Sequence, residues 1–79
     1  MEITRVIFRC FDDGEMIALF PDIKNGKYIL SYIEMGQHGD ADLNHTLSIT
    51  NSVNDFDEYQ DLYHELESIG YVLEVVKSD

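Results

Sequence analysis

From Phe56 to Ile69 the residues Phe56, Tyr59, Leu62, Tyr63, Leu66 and Ile69 recur at helical spacing, so an α-helix gathers them into one apolar stripe. The opposite face of that helix carries Asp57, Glu58, Asp61 and Glu65. Asp57 with Asp61, and Asp61 with Glu65, stand one turn apart, and each like-charge pair costs the isolated helix roughly 0.3 kcal/mol. The helix therefore needs a second layer to bury its stripe and hold it in place. Its ends are well marked: Asp55 caps the first turn with Glu58 three residues on, two carboxylates complement the positive end, and Gly70 suits a left-handed C-terminal cap.

Strands supply that second layer. Thr4, Val6, Phe8 and Cys10 alternate with Arg5, Ile7 and Arg9, the period of a half-buried strand with Val6 and Phe8 in the core. Asp12-Asp13-Gly14 then provides a hairpin turn, and a second strand from Glu15 to Phe20 returns beside the first. Pro21, lacking an amide donor, is expected to end it. Asn25-Gly26 makes another turn before a strand from Tyr28 to Met35, the segment from Gly36 to His45 reads as a loop, and Thr46 to Thr50 as a short edge strand. Tyr71 to Lys77 is the last strand. The prediction is one α+β domain over residues 1–79: a small antiparallel sheet, made of a three-stranded meander plus the C-terminal strand, with one helix packed on one face. The other face is expected to stay open, showing Ile7 between Arg5 and Arg9 together with residues of the Tyr28, Leu30, Tyr32 set or Val72 and Val76. Such a mixed surface could bind a partner or a second copy of the chain.

Charge narrows the function. Sixteen acidic residues against five basic ones give a formal charge of −11, which opposes direct contact with nucleic acid and with anionic membranes. A chain of 79 residues buries only about 60% of the surface its unfolded form exposes, leaving little material for a deep catalytic cleft. Hydrophobic residues at 44% and aromatic ones at 11% are nevertheless those of a folded protein. The single Cys10 has no partner for an internal disulfide, the start of the chain lacks a leader pattern, and no apolar run reaches the length of a membrane span. A cytoplasmic location is the expectation.

The segments VIFR (Val6 to Arg9), DGEMIALFPD (Asp13 to Asp22), SYIEMGQHGDA (Ser31 to Ala41) and EYQDLYHELESIGYVLEVVK (Glu58 to Lys77) resemble a family of short bacterial proteins. That family also occurs in phage-like and other mobile elements, and no activity is known for it. The resemblance covers nearly the whole chain and carries over no cofactor or catalytic residue. Asp55-Phe56 stands here where a Thr-Pro pair is common in the family. The mobile-element association implies an accessory role, such as inhibiting or regulating a host protein.

Four groups of residues have chemistry worth weighing. Gln37, His38 and Asp40, in the run Gln37 to His45, form a candidate partner-binding loop tip, with loop hydrogen bonding between strand ends as the plainer reading. As a calcium loop the run fails, because His45 stands where the turn needs glycine and Asn51 where a bidentate Glu belongs. A zinc site would need His38 and His45 to converge, and no metal is assigned. Cys10 points inward beside Phe8 and reads as a buried structural thiol rather than a nucleophile. Arg5 and Arg9 could clamp an anion, but pairing with nearby carboxylates is the simpler reading in so acidic a chain.

No phosphate loop or nucleophile elbow is present, so no catalytic residue and no cofactor are assigned. Asp57, Glu58, Asp61 and Glu65 remain as the partner-binding candidates. Asp57, Asp61 and Glu65 repeat about 6 Å apart along the helix axis, comparable to the phosphate repeat of a nucleic-acid strand. The sequence thus points to a binding module that engages a basic protein by mimicking nucleic acid, such as a CRISPR effector, nuclease or repressor. The alternatives are a solvated acidic face that serves solubility alone, an adaptor that self-associates or binds through the open sheet face, and, third, a metal-dependent enzyme using His38 and His45.

Overall fold

The computed structural model describes residues 2–33 and 36–77. These form an α+β domain in the order β1 (Thr4–Phe11), β2 (Met16–Asn25), β3 (Tyr28–Ile33), β4 (Gln37–Ala41), α1 (Leu43–Ile49), β5 (Thr50–Ser52), α2 (Phe56–Ser68) and β6 (Leu73–Val75). The sheet runs β4-β3-β2-β1, and the outer edge of β1 is shared by two short strands. β6 lies parallel to Thr4, Arg5 and Val6, whereas β5 lies antiparallel to Arg9, Cys10 and Phe11. Gly14 and Gly26, with φ of +92° and +62°, make the two hairpin turns the sequence predicts.

The alternation of β1 sorts the core into two layers. Val6 and Phe8 point to the face that also carries Met16, Ala18, Phe20 and Tyr32, and there Leu62 and Leu66 of α2 close the cluster. Ile7 points the other way, into a cluster with Ile17, Leu19 and Ile29. That second face is not open. Leu43 and Leu47 of α1 pack against it, and Ile7 is only 7% exposed. Tyr32 and Leu30, expected on the open side, belong to the α2 side because their register with Ala18 and Phe20 puts them there.

Several predicted boundaries change. Residues Thr46 to Ile49 are helical rather than an edge strand, with Asp42 capping α1 by accepting from the His45 amide at 3.0 Å. Pro21 does not end β2. The strand continues past it to Asn25, with a register shift between Phe20 and Lys24, and an interrupted ladder is where a residue without an amide donor fits. The expected loop from Gly36 begins instead with a fourth meander strand, in which Gly39 sits opposite Ser31 and its carbonyl accepts from the Ser31 hydroxyl at 3.1 Å. The third strand is seen from Tyr28 to Ile33, and its expected last residues, Glu34 and Met35, lie outside the described residues. Among the described residues no helix is long and apolar enough to cross a membrane.

Candidate functional site

The α2 helix is fixed at both ends by its own sequence. Asp55 has extended backbone and its carboxylate accepts from the Asp57 amide at 3.1 Å, while Asp57 and Glu58 occupy the first turn. At the other end Gly70 adopts φ +114°. Its amide donates to the Glu67 carbonyl and the Tyr71 amide to the Leu66 carbonyl, both at 3.1 Å, which is the bonding pattern of a Schellman cap. Between the caps, Leu62 and Leu66 are buried and Tyr59 stacks on Phe8 at 4.4 Å. The ends of the predicted stripe are freer. Phe56 is 41% and Ile69 51% exposed, so Ile69 is not one of the anchors.

The four candidate carboxylates do not form a single row. Asp57, Glu58 and Asp61 are exposed, whereas Glu65 is half-buried and accepts a hydrogen bond from the Tyr32 hydroxyl. At roughly 100° per residue, Asp57 and Asp61 face outward and Glu58 and Glu65 lie on the flank nearer the sheet. Glu65 thus ties α2 to β3, and the outward repeat along the axis is reduced to Asp57 and Asp61.

That tie opens onto a cleft of about 450 Å³ lined by Tyr32, Gly36, His38, Ile69, Gly70 and Tyr71. Register places His38 of β4 opposite Tyr32 of β3, and their rings meet edge to face at 4.7 Å. His38 Nε2 lies 3.0 Å from the Tyr71 hydroxyl, and the Tyr71 ring stacks on Phe20 at 5.0 Å. The hydrogen bond to Glu65 holds the Tyr32 pKa above the usual tyrosine value, and removal from water and the negative charge of Glu65 push it the same way. Tyr32 accordingly stays a donor at neutral pH. Tyr71 is not a site candidate in the sequence, and Tyr32 enters there only as part of the expected open sheet face. The available signal is a tyrosine in phase with core residues, whose hydroxyl must find a partner.

The remaining candidates are dispersed. Gln37, His38 and Asp40 lie on the exposed edge strand β4, and of these His38 alone lines the cleft. Among the described residues no group of three or more His, Cys, Asp and Glu is placed to hold a metal ion. Cys10 is half-buried rather than buried, donates to the Phe11 carbonyl at 3.3 Å, and lines a second groove with Gly14, Met16, Asn51, Ser52, Val53 and Glu58. Arg5 pairs with Asp22 through two contacts of 2.6 Å, which hold the Asp22 carboxylate below its ordinary pKa. Arg9 is 5% exposed and donates to the Thr50 hydroxyl at 2.9 Å and to the Leu47 and Thr50 carbonyls at 3.0 and 2.7 Å. The two arginines therefore form no common clamp.

Comparison with known proteins finds no matching family model, no similar curated protein and no matching solved structure.

Proposed function

We propose that this chain is a non-catalytic binding module of the cytoplasm that engages a basic, nucleic-acid-handling protein through the exposed carboxylates of α2, with Asp57 and Asp61 outermost and Glu58 beside them. The observation that carries this reading is the segregation of charge. From Tyr28 to Val76 the chain contains no lysine or arginine. Of the five cations, Arg9 is buried, Arg5 is engaged by Asp22, Lys24 and Lys27 flank the β2–β3 turn, and Lys77 follows the last strand. Among the described residues α2 therefore presents its carboxylates without a cation in ion-pair range. A surface of one sign raises the association rate of an oppositely charged partner and makes the encounter salt-sensitive. Two outward carboxylates about 6 Å apart can stand in for neighbouring phosphates, and the resemblance to proteins of mobile elements fits an inhibitor of a host protein.

Self-association through a bare sheet face is disfavoured, because α1 covers Ile7, Ile17, Leu19 and Ile29. The test is affinity capture from host lysate across a salt series, with wild-type protein and an Asp57→Lys, Asp61→Lys variant. The expected result is a basic protein that elutes as salt rises and whose retention falls roughly tenfold or more in the variant. Retention unchanged by the reversal, or no basic protein retained, overturns the reading.

A further inference from the structure

The lining of the cleft at the C-terminal end of α2 suits a cation better than an anion. Its backbone amides are already used: Gly36 donates to Ile33, Gly70 to Glu67 and Tyr71 to Leu66. The Tyr32 hydroxyl is committed to Glu65, and His38 shares its bond with Tyr71. An anion would meet few free donors. A cation, by contrast, meets the negative pole of a 13-residue helix whose last turn carries no basic residue and whose Ile69 and Gly70 line the opening. The negative charge of Glu65, which accepts from the Tyr32 hydroxyl behind the cleft wall, favours a cation there as well. The walls are the rings of Tyr32, His38 and Tyr71 with the exposed side chain of Ile69, surfaces on which a flat cation can stack and bury its methylenes. No glycine side chain obstructs the space: a Cβ at Gly70 would meet nothing within 4 Å.

We propose that the cleft formed by Tyr32, Gly36, His38, Ile69, Gly70 and Tyr71 receives an arginine side chain of the basic partner. Arginine fits better than lysine because its planar guanidinium stacks on aromatic rings and donates in two directions at once. Glu65 lies one turn beyond Asp61 and Ile69 one turn beyond Glu65, so the cleft continues the acidic side of α2. The arginine becomes a buried anchor, and the partner's other cations meet Asp61 and Asp57, the arrangement of a desolvated centre with a charged rim. This inference rests on the binding role proposed above and names the partner group that its end recognises.

The test is a residue-resolved NMR titration of the full chain with N-acetyl-arginine methylamide, alongside the lysine derivative and the uncharged, nearly isosteric citrulline derivative. The arginine probe is expected to shift the resonances of Gly36, His38, Gly70 and Tyr71, the lysine probe to bind several-fold more weakly, and citrulline to leave them in place. Glu65→Gln keeps an acceptor for Tyr32 and is expected to weaken the arginine probe roughly tenfold. His38→Ala, at an exposed position, is expected to weaken it less. Equal binding of citrulline, shifts confined to Asp57 and Asp61, no shifts at all, or no effect of Glu65→Gln overturns the assignment. The Asp57→Lys, Asp61→Lys variant is expected to leave this titration largely intact. Loss of partner capture alongside unchanged cleft binding, or the reverse, therefore tells which of the two proposals has failed.

Discussion

The two faces of the sheet are closed by different means. On one, α2 extends about 20 Å and lays Leu62 and Leu66 onto Val6, Phe8, Met16, Ala18, Phe20 and Tyr32, with Tyr59 stacked on Phe8. On the other, α1 extends about 10 Å, contributes Leu43 and Leu47 to an aliphatic layer of Ile7, Ile17, Leu19 and Ile29, and is gripped at its C-terminal end by Arg9. A segment of seven residues is far below the length at which a helix holds itself in water. The first face relies on burial of apolar area and aromatic stacking, with the Tyr32–Glu65 bond beside them. The second also needs a buried guanidinium bonded to backbone carbonyls, so one of only five cations is withdrawn from the surface and the outside is left still more acidic.

Truncating the better packed face has the largest expected effect. Leu66, fully buried, should cost about 2–5 kcal/mol as Leu66→Ala from the lost transfer energy and the cavity. That is a large part of the 5–15 kcal/mol typical of a small domain, and urea denaturation would show the midpoint fall for both faces together. A loss below about 1 kcal/mol would mean that α2 is not the main lid. Arg9→Ala comes next, at about 1.5–3 kcal/mol for loss of hydrogen bonds from a charged donor. Its signature is local: amide exchange in Thr46 to Thr50 should accelerate while Leu62 and Leu66 keep their protection. If α1 retains its protection, Leu43 and Leu47 hold it alone and the contrast between the faces collapses.

What the sequence shows follows the range of the interactions involved. The β1 strand with Val6 and Phe8 in the core, the Asp12-Asp13-Gly14 and Asn25-Gly26 turns, the Asp55 cap and the Gly70 terminator are set by neighbours in the chain and appear where expected, whereas the half-buried alternation does not, since Ile7 and Arg9 are buried too. The α1 helix is legible only in part. Leu43, Thr46, Leu47 and Thr50 have helical spacing, yet Thr46 to Thr50 also alternates like a strand, and the contacts that hold the helix include Arg9, about forty residues away, and the distant layer under Leu43 and Leu47. Gln37 to Ala41 looks like a loop because an exposed edge strand buries almost no side chain, so its pairing with β3 leaves no apolar pattern to read. The site behaves likewise. Asp61 and Glu65 stand only about 40° apart on a helical wheel, and the bond to Tyr32, 33 positions from Glu65, is what the local sequence does not show.

The smallest of these effects concerns that tie and is visible through pH. In the folded chain the Tyr32 hydroxyl keeps its proton to a higher pH than in the unfolded chain, because the proton is donated to Glu65 in a partly dry place beside a negative charge. Between the ordinary tyrosine value near 10 and the raised folded value, the folded state therefore holds the proton that the unfolded state has lost. Stability from this source is complete below the ordinary value and drains away as pH rises through the folded one. Tyr32→Phe removes the donor and keeps the ring, so the core cluster with Phe8 and Phe20 stays filled. The variant should unfold somewhat more readily than wild type at neutral pH, and the two should converge as the solution becomes strongly alkaline. Denaturation midpoints measured from neutral to alkaline pH would show the convergence, whereas parallel curves would mean that Tyr32 does not lend Glu65 its proton. In that case the Glu65 carboxylate would be free to reach toward solvent from the flank of α2, beside Asp61.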